Sequence, residues 1–286
     1  MLHDSKANKI FLLVLVVVLA LGAAAKPLQK KIHGNQMKNI SLTTGKNLTI
    51  NTTVDDISVM VDNSISEMQV SYKGTGTLSV LDNGNTTEIS VSITSHFFNF
   101  GGKGRVMITI PAIQLGKVEV TTVSGDIDLM QDFSAQKIKL HSISGDIDFI
   151  NLTSKEDVSL SSTSGQIEGE GIDCSSKVEA STISGKIELD LIHASDIYLH
   201  TTSSEIQGTV QMEKGEVKAT STSGEIEIDL LQDTPDYRLN AHSTSGSIEV
   251  NSTEMGHSVN QDVGKGSIGV TLSTVSGSIS LYSTKK

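Results

Sequence analysis

From residue 116 onward, apolar and polar positions alternate in short runs, and the phase of the alternation changes halfway through every unit. "TTVSGDIDL" at 121–129 returns as "HSISGDIDF" at 141–149 and is echoed six more times to the end of the chain. The glycine of each echo falls at Gly125, Gly145, Gly165, Gly185, Ser204 (a replacement), Gly224, Gly246 and Gly277, in steps of 20, 20, 20, 19, 20, 22 and 31. A period near 20 held over eight copies marks a repeat architecture. An invariant column, Ile127, Ile147, Ile167, Ile187, Ile206, Ile226, Ile248 and Ile279, follows the glycine. Upstream lie two further apolar columns, headed by Val118 and Val120. Each half of a copy has the period of a strand with one buried face.

The two halves are out of phase, since Val118 and Val120 share a parity that Ile127 and Leu129 do not. A corner must lie between them, at Ser-Gly. The expectation is that the glycine supplies a positive φ there and that the preceding Ser, present in all eight copies, caps a backbone group. A unit of two short strands and a corner cannot bury its apolar face alone, but it can when stacked on its neighbour. The predicted fold is therefore all-β: a parallel β-helix (β-solenoid) of about eight ~20-residue coils, forming a rod of roughly 38 Å at ~4.8 Å per coil. A propeller, which wants ~40 residues per blade, and a sandwich of hairpins are the alternatives.

Before the repeats, "ISVMV" (57–61), "MQVSY" (68–72), "TEISVSIT" (87–94) and "RVMITIP" (105–111) read as strands, with turns at "LDNGN" (81–85) and "FGGKG" (100–104). Residues 40–115 are read as an N-terminal β cap or degenerate first coils, and 116–286 as the repeat solenoid. Residues 251–266 read as an insertion looping out before the last coil. Residues 26–39, with Lys26, Lys30, Lys31 and Lys38, read as a linker. In front of them, Lys6 and Lys9 precede the apolar run Ile10–Ala25, which ends in three alanines. Residues 1–25 thus form either a cleaved signal or an N-terminal membrane anchor, short against the ~20 residues of a spanning helix. Both readings export the rest of the chain, and the only membrane contact expected is through residues 10–25 if they stay uncleaved.

Composition sharpens this. The chain has 286 residues, a formal charge of −11, 3% aromatic residues and no Trp. That charge argues against nucleic acid and anionic membrane surfaces as partners. Cys174 is the single cysteine, so no internal disulfide is available, and it reads as an inert loop thiol. Sequons occur at Asn39, Asn47, Asn51, Asn85, Asn151 and Asn251 and matter only in a host that glycosylates exported proteins.

The stretch "VMITIPAIQLGKVEVTTVSGDIDL" (106–129), a strand ending in Ile-Pro followed by alternating Val and "SGDI", resembles a family of bacterial and archaeal surface proteins known as putative adhesins. The resemblance covers about residues 50 to 285. It implies Ser-Gly-x-Ile repeats, a β-helix-like fold and a surface location. It brings no catalytic residues.

Candidate chemistry is sparse. The acidic columns Asp126/Asp146 and Asp128/Asp148/Glu168/Glu188/Glu227/Glu249 could offer oxygen ligands to Ca²⁺. Asp126, Asp128, Asp146 and Asp148 are the metal candidates. Paired carboxylates also serve polysaccharide-cleaving enzymes, but a catalytic site breaks a repeat and these columns are regular. The bland reading is an outward face kept charged for solubility. His141, His200 and His242 share a column in non-adjacent copies, too far apart for one metal ion. The Thr122/Ser142/Ser162/Thr182 column matches the parity of Val118 and predicts an inward hydroxyl ladder. No cofactor site is expected. Function is read as a non-enzymatic adhesion or scaffold element with an unknown surface ligand or protein partner. The alternatives are a membrane-anchored envelope regulatory or sensory protein and, third, a β-helix enzyme.

Overall fold

In a computed structural model, which describes residues 37–92 and 103–284, the chain is all β. The N-terminal region contributes β1 (Met37–Ile40), β2 (Asn47–Asn51), β3 (Asp56–Asp62), β4 (Met68–Lys73), β5 (Thr77–Asp82), β6 (Thr86–Ser92) and β7 (Arg105–Pro111). The repeats contribute β8 (Leu115–Thr121), β9 (Ile127–Leu129), β10 (Phe133–His141), β11 (Ile147–Ser154), β12 (Val158–Ser161), β13 (Ile167–Cys174), β14 (Lys177–Ser181), β15 (Ile187–His193), β16 (Asp196–His200), β17 (Ile206–Val210), β18 (Gly215–Thr220) and β19 (Ile226–Leu231). The chain closes with β20 (Tyr237–Ser243), β21 (Ile248–Val250), β22 (Thr253–Gly256), β23 (Ser258–Val263), β24 (Ile268–Thr274) and β25 (Ile279–Thr284). The predicted signal or anchor at 1–25 lies outside the described residues. Residues 37–39, read as linker from sequence, belong to β1, which pairs antiparallel with β4.

Strands of successive copies pair in parallel and in register, which makes the fold solenoid-like. On the first side β8, β10, β12, β14, β16 and β18 follow one another. On the second, β9, β11, β13, β15, β17 and β19 do so. Phe133 of β10 pairs with Leu152, which aligns with Ile172 and Ile192 to make a third side. The isoleucine column is buried throughout, every member at 0% exposure, with Ile187 aligned between Ile167 and Ile206. This is why only Ile occupies it while neighbouring outward positions vary: each side chain loses nearly all its water and adds roughly 1.5–3 kcal/mol.

Chain order and spatial order part company at both ends. β24 and β25 insert between β18/β19 and β20/β21, so the eighth copy stacks on the sixth and the seventh lies outside it. Residues 251–266 are not a protruding loop: most of them form β22 and β23, which run antiparallel against β21 and β20 and cover the end. The N-terminal end repeats the device. β2 and β3 sit between β8/β9 and the outer pair β6/β7. Antiparallel β5 and β4 then cover β6 and β7. Among the described residues, cross-pairing the outermost parallel strands with antiparallel ones leaves no long edge of those strands open to a second chain.

The Ser-Gly corner works differently from the sequence expectation. None of its glycines has a positive φ. Instead a Cβ on Gly145 would overlap the carbonyl oxygen of Gly125, and one on Gly165 that of Gly145. Where the column is glycine, neighbouring backbones meet with no room for a methyl; Ser204, in the copy reached by the short step of 19, carries its Cβ in the same slot. Left-handed backbone occurs at a second bend, at Asn151 (φ 53°), Gly171 (φ 74°) and Leu191 (φ 53°), four residues past the isoleucine column. Nor is the capping hydroxyl that of the Ser before glycine. It belongs to the buried Ser/Thr column two residues earlier. Ser142 Oγ accepts from Gly145 N–H at 2.8 Å and donates to Gly125 O at 3.3 Å. Thr182 repeats this with Gly185 and Gly165, both at 3.1 Å. The predicted inward ladder exists, but from Ser142 onward it ties each hydroxyl to a neighbouring copy's backbone, while Thr122 accepts from the Thr52 hydroxyl at 2.9 Å. Cys174, expected in a loop, is buried at the end of β13 with its thiol on Glu156 O.

Candidate functional site

The outward positions of the two main sides differ in charge balance. On the first side, acids and bases neutralise one another. Lys117 and Lys139 grip Glu119 at 2.7 and 3.0 Å, and Lys137 meets Asp157 at 2.8 Å. Burial works to raise the Glu119 carboxyl, yet the two lysines hold it below its ordinary value. His141 and His200 also lie here, each with Nδ1 2.8 Å from the hydroxyl of the next copy, Ser161 and Thr220.

The second side is acidic and largely uncompensated. Its strands bring Asp128, Asp148, Glu168 and Glu188 into one register row, continued by Gln207 and Glu227. Glu249, assigned to this column from sequence, is separated from Glu227 by Ser280 of the inserted copy. Lys186 pairs with Glu188 and Glu205 at 2.8 and 2.7 Å, while Asp128, Asp148 and Glu168 have no basic partner within 4.0 Å among the described residues. Burial, then the charges of Asp128, Asp146, Glu168 and Asp126, push the Asp148 carboxyl up to about 6. Asp128 is raised by burial as well, against Arg105, and by Asp126 and Asp56.

The four metal candidates divide into two kinds. Asp126 and Asp146 are backbone caps: Asp126 Oδ1 accepts from Asp146 N–H at 3.0 Å and Asp146 Oδ1 from Gln166 N–H at 2.7 Å. Asp56 extends this ladder, accepting from Asp126 N–H at 3.1 Å. Asp128 and Asp148 stand beside them, side by side. Among the described residues no three His, Cys, Asp or Glu side chains converge on a point that could hold a metal ion.

Between the rows lies a shallow groove of about 430 Å³. Its floor includes Phe149 and Gly169, and the Phe149 ring occupies the space a side chain at 169 would need. Carboxylates of Asp148, Glu168, Glu170 and Asp190 rim it, with Met130 and Ile150 at one end. The apolar end and the aspartate caps were missed from sequence. The signal was present in Met130 and Ile150, which occupy the outward phase where the other copies place Glu170 and Asp190.

One more group escaped the sequence reading. "TTVDDI" (52–57) is a copy of the repeat with Asp55 in the glycine slot, since the Asp55 carbonyl is what a Cβ on Gly125 would meet. The Asp55 carboxyl is buried and accepts from the Tyr72 hydroxyl at 3.1 Å. Burial raises its pKa, against hydrogen bonds from Tyr72 and Gly104.

A parallel β-solenoid-like stack with covered ends and one long acidic side is a repeat architecture. The chain belongs to the Toastrack DUF4097 family, whose model matches residues 37–282. No curated protein is similar to it in sequence. Similar solved structures include a putative adhesin of Bacteroides fragilis at 14% identity, covering 90% of this chain and 100% of that one with a TM-score of 0.44. A putative cell adhesion protein of Clostridium sporogenes is 12% identical over 90% and 100% of the two chains, TM-score 0.32. A putative lipid binding protein of Parabacteroides distasonis is 13% identical over 87% and 96%, TM-score 0.36.

Proposed function

We propose that the chain is an exported, non-enzymatic β-solenoid of eight ~20-residue coils with an N-terminal β cap, acting at the cell surface or envelope as an adhesion or scaffold element. The observation that carries this reading is the repetition of the acidic side: its carboxylates recur copy after copy in register rather than gathering as an acid and base pair. A face of that kind suits binding along its length. No helix among the described residues is long and apolar enough to cross a membrane.

The test is protease treatment of intact cells together with mass spectrometry of the mature chain. Loss of the protein on treatment, with an N-terminus near residue 26, is the expected result. An intact N-terminus with the same accessibility would turn the reading to the anchored alternative. Protection in intact cells and release only on lysis would overturn it.

A further inference from the structure

The groove on the acidic side carries an apolar row that the fold does not need. Met60 on β3, Met130 just past the end of β9 and Ile150 on β11 are 42%, 52% and 45% exposed. The three strands are consecutive in the stack, Met130 and Ile150 line the groove, and Met60 extends the row beyond it. The same row continues as Glu170 on β13 and Asp190 on β15. One register row away, two residues along each strand, run Asp128, Asp148, Glu168 and Glu188. The surface is thus amphipathic along the stacking axis, apolar at the β3 end and acidic toward β15.

Its dimensions select an occupant. From β3 to β15 is four strand steps, roughly 19 Å at ~4.8 Å each, and the two rows stand ~6.6 Å apart. A helix covers that length in about 13 residues, and its i, i+3 and i+4 side chains recur every ~4.5–6 Å along the axis, close to the strand step. An extended peptide gains little here, because the strands beneath are paired on both edges and offer no free backbone groups. A helix brings its own backbone satisfied and needs only side-chain contacts. Methionine adapts to varied apolar partners, and the crowded carboxylates call for cations.

We propose that this groove docks a basic amphipathic helix of a partner polypeptide, with its apolar face on Met60, Met130 and Ile150 and its lysines or arginines over Glu168, Glu188 and Asp190. This deepens the surface-binding reading by naming the partner's chemistry.

The experiment titrates the purified full chain into a fluorescein-labelled 14-residue peptide of Lys and Leu in amphipathic order, read by anisotropy. A scrambled peptide of the same composition and spermine serve as comparisons. The expected result is that the ordered peptide binds at least tenfold tighter than the scrambled one. Met130→Ser with Ile150→Ser should weaken it tenfold or more at an unchanged melting temperature. Glu168→Gln with Glu188→Gln should weaken it and flatten its salt dependence, while Lys218→Ser on the other side should leave it unchanged. Equal affinity for the two peptides, or no effect of the Met130 and Ile150 changes, would overturn the proposal, as would displacement by spermine at matched charge. The titration uses purified protein, so its failure is distinct from a failure of the export experiment.

Discussion

Gly145→Ala isolates the close approach of backbones at the corner. The added methyl would overlap the Gly125 carbonyl oxygen and lie 3.0 Å from the Asp126 nitrogen. No flexible side chain is available to yield, so the two backbones must part. Overpacking of a tight interior costs about 1–3 kcal/mol. Parting the backbones also stretches the Ser142 Oγ–Gly125 O bond at 3.3 Å and the Asp126 Oδ1–Asp146 N bond at 3.0 Å, at about 1 kcal/mol each. The expected loss is therefore about 3–5 kcal/mol, a large part of a domain's stability. Urea unfolding followed by circular dichroism measures it. Gly145→Asn separates the causes. Asparagine tolerates the left-handed region better than alanine does, so a glycine needed for φ would be replaced more gently by Asn. Close approach predicts that Asn is no better than Ala. Gly84, at φ +87° with open space around it, gives the opposite case: Ala there should cost about 1 kcal/mol and Asn less. A loss under about 1 kcal/mol for Gly145→Ala, or a clear recovery with Asn, would refute the account.

Three further outcomes follow from the same geometry. Ile187→Ala should cost about 2–5 kcal/mol in the same assay, while Lys186→Ala, which loses only half-exposed ion pairs to Glu188 and Glu205, should cost under about 1 kcal/mol. The Asp148 carboxyl is raised from 3.8 to about 6 in the fold, so its contribution favours the folded state below the unfolded value and is lost as pH rises through about 6. Asp148→Asn should therefore stabilise the protein at pH 8 relative to pH 4, by less than about 1 kcal/mol because the carboxyl is only half-buried and solvent still screens it. Melting with millimolar calcium should match melting with chelator, since Asp126 and Asp146 are engaged with backbone N–H groups. A clear rise with calcium would place a shared site on those residues with Asp128 and Asp148.

What the sequence could tell follows from where each signal resides. The isoleucine column is legible because burial acts on one residue at a time, and its contrast with Asp, Gln and Lys next door exposes the buried phase. The Ser/Thr ladder is legible for the same reason. The corner glycine was misjudged because a glycine absent of side chain looks the same whether φ or a neighbouring carbonyl demands it, and only coordinates tell the two apart. The repeat in "TTVDDI" was hidden by Asp55 and Val54 standing where other copies carry Gly and Ser. Strand order at the ends was illegible on principle. The columns of the eighth copy fit against the sixth or the seventh equally well, and only the long step of 31 residues before Gly277 hinted at a detour. The candidate face was half legible. Its acids show in the sequence, whereas Met60 joins Met130 and Ile150 only through the pairing of β3 with β9.

The insertion of β24/β25 and of β2/β3 one place inward has a bearing on how such a rod can change length over generations. Among the described residues, each copy stacks on the one before it in the chain only from β8/β9 to β18/β19. A tandem duplication inside that stretch adds a layer and disturbs neither closure. A duplication of the last copy would instead have to widen the gap between β18/β19 and β20/β21, which residues 232–236 bridge. Growth comes most simply in the middle, and the two ends travel as fixed fittings whatever the number of layers between them.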